Sequence, residues 1–419
     1  MIPVDLCSET GRLNAVLMHR PGPEIEAMTP TNAHHALYSD ILNLDIVNKE
    51  YGYFSGALSK VTNVLYVMDL LEEVLKDAKV CETLVRQSCK LDGCECVVDE
   101  LLTHDPKTLS KELIEGFAYR KGKDPVQFEE SRYLLKPLYN LFFTRDASSC
   151  MYDGALINSM SFGVRSRESY IYKAIFENCF KVNTLWAQQA VPEARTEGGD
   201  VHIVRPDLLC IGTGIRTNFA GIEYLAANAG KGKERFYVIA QELPKEPDSF
   251  IHLDMVFTFL GTHHCMCYEP MIRHTGVFTG MKTYLYTIEG GKFARKEYDN
   301  ILVALKAVGM EMDPIFCAGG MNSGDFADWW QDRDQWHSGA NFFSFGENHI
   351  IGYRRNRRTI EALNKAGFEV LDAEDVCADK VKPWDYEKAV ITFAGSELPR
   401  GGGGARCMTC PINRDKIDW

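Results

Sequence analysis

Three stretches of this chain repeat one order of elements: an apolar strand, a tight polar turn, a second apolar strand, an arginine and a helix. No other feature constrains the fold as much. In the first copy, a turn at Asp153-Gly154 leads to a strand over Ala155 to Asn158, then Arg165 and a helix near Glu168 to Phe180. The second has strands Val201 to Val204 and Leu208 to Gly212 around Arg205-Pro206-Asp207, then Arg216 and a helix near Asn218 to Asn228. The third has strands Phe342 to Phe345 and His349 to Tyr353 around Gly346-Glu347-Asn348, then Arg354 and a helix from Arg358 to Lys365 closed by Ala366-Gly367. Hairpin turns rich in Gly, Asp and Asn, followed by a helix with a glycine stop, specify repeated β-β-α units. The uneven spacing excludes an array of constant period and leaves a closed ring. A ring brings the two ends of the chain together, with loops from its middle beside the C-terminal segment.

One segment interrupts the pattern. After a strand at Val64 to Val67, residues Asp69 to about Leu135 are charged and apolar at helical spacing, as in Leu70, Leu71, Val74 and Leu75, with no strand signal. The expected organisation is therefore residues 1–68, an inserted helical subdomain over 69–137, and residues 138–419.

Four short motifs carry chemistry. Near the C-terminus, Gly401 to Gly404, Ala405 and Arg406 lead into Cys407. Glycines remove side chains from the approach to the thiol, and an adjacent arginine favours thiolate, the nucleophilic form. Phe143-Thr144-Arg145-Asp146 and Glu197-Gly198-Gly199-Asp200 place carboxylates where strands end. In His252-Leu253-Asp254, alternation along an extended strand sends His252 and Asp254 to one face. Taken singly, these read equally as a surface ion pair, an ordinary turn and a core histidine. Together, a cysteine, a histidine and several acids suit covalent attack on a cationic, planar electrophile such as a guanidinium, whose fork of N–H donors carboxylates grip in pairs.

In that order, the four motifs resemble those of arginine deiminase, of the guanidino-group-modifying (pentein) superfamily. The resemblance covers nearly the whole chain. It includes Glu9-Thr10-Gly11-Arg12-Leu13, Met18-His19-Arg20-Pro21-Gly22, Asn140 to Asp146, Arg165 to Glu168, Gly319-Gly320 and Arg406-Cys407-Met408-Thr409-Cys410-Pro411. It implies an α/β fold, a five-bladed α/β propeller of ββαβ units with a helical insert, and hydrolysis of L-arginine to L-citrulline and ammonia. By this resemblance Cys407 attacks the guanidinium carbon and passes through an S-alkylthiouronium, with His252 as general acid and base. Asp146 and Asp254 hold the guanidinium nitrogens, and Glu197 orients His252. Arg165 and Arg216 bind the α-carboxylate, Asn140 adds a hydrogen bond, and Asp200 counts among the substrate-binding residues. No cofactor or metal is implied, and a homo-oligomer, dimer or tetramer, is expected. The chain departs from the family at Leu37-Tyr38-Ser39-Asp40, around Trp336-His337-Ser338-Gly339-Ala340-Asn341, and in the glycine run, which lacks an internal arginine although Arg400 precedes it. These departures touch the α-amino end of the substrate and the gating of the site, so a close analogue of arginine is an alternative substrate.

Composition bounds the remaining readings. A net charge of −12 argues against nucleic-acid binding and accords with a cationic small substrate. The N-terminus lacks a signal-peptide pattern, and no run approaches the roughly eighteen apolar residues of a membrane span, so a cytoplasmic protein is expected. Fourteen irregularly spaced cysteines then read as reduced thiols. His263-His264-Cys265-Met266-Cys267 has the composition of a metal site, and Cys407-Met408-Thr409-Cys410 the spacing of a redox pair. The first lacks a partner motif, and the second runs into Pro411 without a helix start, so both are set aside and Cys410 is read as structural. An amidinotransferase, with an acceptor amine in place of water, and a non-catalytic thiol or metal-binding protein remain as alternatives.

Overall fold

A computed structural model describes residues 2–120, 132–290 and 292–419. Five sheets in it share one connectivity: an edge strand pairs antiparallel with a central strand, which pairs parallel with a third. Three are the repeats read from sequence: Ser148–Met151, Gly154–Ile157 and Thr184–Trp186; Val201–Arg205, Leu208–Thr213 and Arg235–Glu242; Phe343–Gly346, His349–Tyr353 and Ala389–Phe393. The other two are Phe257–Phe259, His264–Cys267 and Asp313–Phe316, and a sheet made by the chain ends, in which Cys410–Arg414 runs antiparallel to Leu13–Met18 and Asn63–Tyr66 parallel to it. Each parallel pair requires a crossover, and helices such as Ser166–Ile175, Phe219–Ala229 and Arg357–Lys365 supply it.

Local chemistry sets these boundaries. Asn218 caps its helix by accepting from the Gly221 N–H at 2.9 Å. Gly367, at φ +91°, ends the Arg357–Lys365 helix, and the Phe368 N–H returns to the Leu363 carbonyl at 3.0 Å. The hairpin between Gly346 and His349 turns through Asn348 at φ 55°, a conformation asparagine tolerates.

The segment read as purely helical contains the helices Val67–Val74, Ala78–Asp92 and Pro106–Glu115, but also a short ribbon in which Phe117–Ala118 pairs with Tyr133–Leu135. Strand-length windows of two or three residues are too short for periodicity to register. The expected strand at Val64 to Val67 ends one residue early, because Val67 opens a helix. Leu71, Val85 and Leu113 share an apolar core with Ile157, Ile171 and Leu209, and the first two of these helices pack against the Ser166–Ile175 helix.

The five edge strands converge. Ser148 Oγ lies 3.9 Å from Cys410 Sγ, the His202 ring meets Phe257 and Phe259, and Arg414 Nη2 donates to the Ser344 carbonyl at 2.6 Å. A buried edge must satisfy its unpaired backbone groups. For Val201–Arg205, Glu9 Oε1 accepts from the Ile203 N–H at 3.1 Å and Arg406 Nη2 donates to the Val201 carbonyl at 2.9 Å. Charged residues near both ends of the chain are thereby drawn to the middle of the molecule.

Candidate active site

Loops from four of the sheets converge where the chain ends meet. Cys407 is 4% exposed, and its sulfur lies 3.7 and 3.9 Å from the Asp254 carboxylate oxygens. The loop that carries it is fixed at several points. Tyr353 donates its hydroxyl to the Gly403 carbonyl at 3.0 Å, Arg145 Nε donates to the Arg406 carbonyl at 3.2 Å, and the Arg145 N–H donates to the Cys407 carbonyl at 3.0 Å. The glycines before it are needed for close packing against protein. A Cβ on Gly403 would sit 2.4 Å from the Phe143 ring, and one on Gly404 2.5 Å from Asn341 Oδ1. At these two positions the absent side chains make room for Phe143 and Asn341.

His252 has extended backbone and immediately precedes the short helix Leu253–Val256. The expected extended strand through His252-Leu253-Asp254 is therefore wrong. The chain turns because the Leu253 N–H donates to Asp200 Oδ1 at 3.0 Å and the Asp254 N–H to the Gly199 carbonyl at 3.1 Å. Asp254 turns toward Cys407, while His252 Nε2 reaches Glu197 Oε2 at 2.9 Å and its Nδ1 lies 3.9 Å from Asp146 Oδ1. Gly199 makes room for the ring, since a Cβ there would come 2.5 Å from His252 Nδ1. Gly198 likewise faces the Arg145 carbonyl, which a Cβ would approach to 1.9 Å.

Around these groups, charges alternate along a buried chain. Arg165 Nη1 donates to Asp146 Oδ2 at 2.6 Å, and its other nitrogens engage Glu168 at 3.0 and 2.8 Å. Glu197 Oε2 also accepts from Arg216 Nη1 at 3.1 Å, and its Oε1 from the Ser161 N–H at 2.9 Å. The Arg216 guanidinium stands 4.7 Å over the Phe162 ring. Asn140 donates to the Ala36 carbonyl at 2.8 Å, and its own carbonyl accepts from Arg165 at 3.3 Å. Among the described residues, Asp146 Oδ1, Asp200 Oδ2 and Arg216 Nε are buried without a hydrogen-bond partner.

The charge states follow from burial and neighbours. Burial would depress the His252 imidazole, but Asp146, the bond to Glu197 and Asp200 raise it to about 9, so it rests as imidazolium at neutral pH. Burial pushes the Asp200 carboxyl up to about 7 against the pull of His252. Glu197, despite burial, is held below the ordinary carboxylate range by Arg216 and His252. Burial, Asp254 and Asp146 push the Cys407 thiol up, so it rests protonated. Arg406 favours thiolate, as its place beside the sulfur suggested, but burial and the two carboxylates outweigh it. The Arg406 guanidinium is held by Glu9, at 3.1 Å through both Nε and Nη2, and by Asp254 Oδ2 at 3.0 Å.

The arginine deiminase family model matches residues 34–414. The chain belongs to that family. A curated arginine deiminase of Borrelia garinii subsp. bavariensis is 30% identical over 99% of this chain and 98% of its own length. Two solved structures share the α/β fold. The N-terminal domain of ArgZ, an arginine dihydrolase of cyanobacteria, bound to product, aligns at TM-score 0.52 with 14% identity over 96% of this chain and 97% of its own. DDAH from Pseudomonas aeruginosa complexed with citrulline aligns at 0.51 with 12% identity over 96% and 99%.

In this arginine deiminase family member the residues given catalytic or binding roles from sequence, Cys407, His252, Glu197, Asp146, Asp254, Asn140, Arg165, Arg216 and Asp200, are all buried and brought together around Cys407. Arg165 and Arg216 enter the site, whereas Arg354, at the same place in the third repeat, pairs with Asp372 and Glu374 on the half-exposed surface. Asp146 does not form a surface pair with Arg145, since both are buried. Sequence reasoning assigned no role to Asn341, Glu9 or Glu168. Only the family-wide motif string around Glu9 and Glu168 marked those two. At the departures, Ser39 donates to the Arg400 carbonyl at 3.4 Å, and Arg400 pairs with Asp40 and with Glu397, so the loop at 37–43 is clasped to the glycine loop. His337 accepts from Arg355 at 2.9 Å, and Gly339 packs against Cys317, whose sulfur a Cβ would approach to 2.6 Å. Cys265 and Cys267 lie 3.6 Å apart and buried, while His264 turns to Lys388. Among the described residues no group of three or more His, Cys, Asp or Glu is placed to hold a metal ion, and no helix is long and apolar enough to cross a membrane.

Proposed function

We propose that this protein hydrolyses L-arginine to L-citrulline and ammonia through a covalent intermediate on Cys407. The observation that carries the reading is the buried Cys407 sulfur 3.7 Å from Asp254, beside a His252 imidazolium held between Glu197 and Asp146. A guanidinium between Asp146 and Asp254 offsets the two carboxylates that oppose ionisation of the thiol, which then releases its proton to solvent. The thiolate bonds to the guanidinium carbon. His252 gives its proton to one nitrogen as that C–N bond breaks, and ammonia leaves an S-alkylthiouronium. Neutral His252 next takes a proton from water as its oxygen bonds to the same carbon. The C–S bond breaks, citrulline departs, and the proton released from its oxygen passes to ammonia in solution.

Free arginine also carries the charges needed to open the site. Its guanidinium replaces Arg165 at Asp146, and its α-carboxylate pairs with the freed Arg165 and with Arg216, whose Nε has no partner. Asn140 adds a hydrogen bond, and Asp200 supports the His252 turn from behind. Five sheets of like connectivity, with the terminal strands paired, support a closed five-bladed α/β propeller interrupted by an insert over 69–137.

The test is citrulline and ammonia release from L-arginine, run beside agmatine, methylarginines and an added acceptor amine, with Cys407→Ser as control. Equal amounts of both products from arginine, abolished in the variant, support the proposal. Turnover that requires an acceptor amine, or another guanidine, overturns the substrate assignment.

A further inference from the structure

We propose that Asn341 is the side-chain donor that fixes the Cys407 sulfur and stabilises it as thiolate. The inference rests on the reading of Cys407 as nucleophile. Asn341 is 1% exposed, and its Nδ2 lies 3.2 Å from Cys407 Sγ and 3.0 Å from the Asp254 carbonyl, which accepts from it. Its Oδ1 accepts from the Arg406 N–H at 2.9 Å. These partners fix the orientation of the amide. Reversing it would set the Arg406 N–H against an NH2 group and the Asp254 carbonyl against an oxygen, losing both bonds. Nδ2 is therefore the group that faces the sulfur.

One side chain thus joins three separate segments: its own loop before Phe343–Gly346, the turn that carries His252 and Asp254, and the Cys407 loop. Gly404 permits the approach, since a Cβ there would lie 2.5 to 2.7 Å from the Asn341 side chain. This is a physical reason for the last glycine of the run.

The electrostatic need is also local. The groups facing the sulfur are Asp254 at 3.7 Å, Asp146, the Arg406 guanidinium already engaged by two carboxylates, the Tyr353 hydroxyl and the Met255 thioether at 4.0 Å. The two carboxylates oppose a negative sulfur, and the Gly404 backbone and Arg406 favour it. An N–H at 3.2 Å adds a charge-assisted hydrogen bond that strengthens as the sulfur ionises, and it keeps the nucleophile in line with the carbon held by Asp254.

The test needs no substrate. Iodoacetamide labelling of Cys407 is followed against pH by peptide mass in the wild type, Asn341→Asp and Asn341→Ser, with the exposed Cys96 as internal reference. Loss of a hydrogen bond to a charged group is expected to slow labelling of Cys407 at pH 7 roughly ten- to hundredfold and to move its profile to higher pH, with Cys96 unchanged. In turnover, kcat falls by a similar factor while KM changes little. Asn341→Ser keeps a small polar side chain, so it provides a folded comparison where Asn341→Asp lowers stability. Cys407 profiles that coincide with wild type in a variant melting cooperatively overturn the proposal. Because the labelling uses no guanidine, absence of arginine turnover would refute the proposed activity without touching this result.

Discussion

The charge on His252 has a measurable thermodynamic consequence. Its imidazole is raised from the ordinary 6.5 to about 9 because Asp146, Glu197 and Asp200 together outweigh burial. A group whose folded value is raised stabilises the fold fully below its unfolded value and loses that contribution as pH rises through the folded one. For His252 the window therefore runs from about pH 6.5 to above 9. At about 1.4 kcal/mol per pH decade, the interval corresponds to about 3 kcal/mol. His252→Gln keeps a polar side chain of similar reach but cannot titrate there. Urea unfolding of both proteins at several pH values gives their stability difference, from which the ionisations of groups remote from His252 cancel; what remains is the linkage of His252 with the carboxylates it pairs with. Wild type should exceed the variant by about 3 kcal/mol more at pH 6 than at pH 10. A difference that stays flat across this range would refute the argument, because an imidazole not raised by its carboxylate neighbours has no linkage in that window.

Three further outcomes follow from the same geometry. Gly199→Ala places a Cβ 2.5 Å from His252 Nδ1. It should displace the ring from Glu197, lowering kcat sharply and stability by about 1–3 kcal/mol, read by turnover and by denaturant. Glu9→Gln leaves the Arg406 guanidinium with Asp254 as its single carboxylate partner in a buried setting. The expected loss is about 3–5 kcal/mol in a chemical melt, and a loss under 1 would contradict the account. Arg216→Met removes the cation with an unpartnered Nε. KM for arginine should rise roughly ten- to hundredfold while agmatine, which lacks a carboxylate, is little affected. Retained preference for arginine would assign carboxylate binding elsewhere.

The identities of the reacting groups were legible one by one. Cys407 followed its glycines, Glu197 and Asp200 flanked theirs, and His252 and Asp254 stood two residues apart. Their relation was not. Alternation put His252 and Asp254 on one face of a strand, yet Asp200 and Gly199, some fifty residues earlier, bind the backbone there and turn the two side chains to different partners. Asn341 was noted only as the end of the departing string from Trp336 and carried no signal of its own, because a neutral amide cannot be told from any turn residue until its neighbours are known.

By itself, then, the sequence determined what depends on neighbours along the chain. These are the hairpins and glycine-stopped helices of three units, the helical character after residue 67, and the set of nucleophile, imidazole, carboxylates and arginines. Tertiary structure alone decided what depends on contacts between distant segments. Pairing of Leu13–Met18 with Cys410–Arg414 brings Glu9 to Arg406, which ties up the cation beside the nucleophile. Burial among Asp254 and Asp146 then sets Cys407 as a resting thiol, and Glu197 with Asp146 sets His252 as an imidazolium. Spacing along the chain fixes which groups are present. Their ionisation depends on desolvation and on charges within a few ångströms, and only folding brings those together.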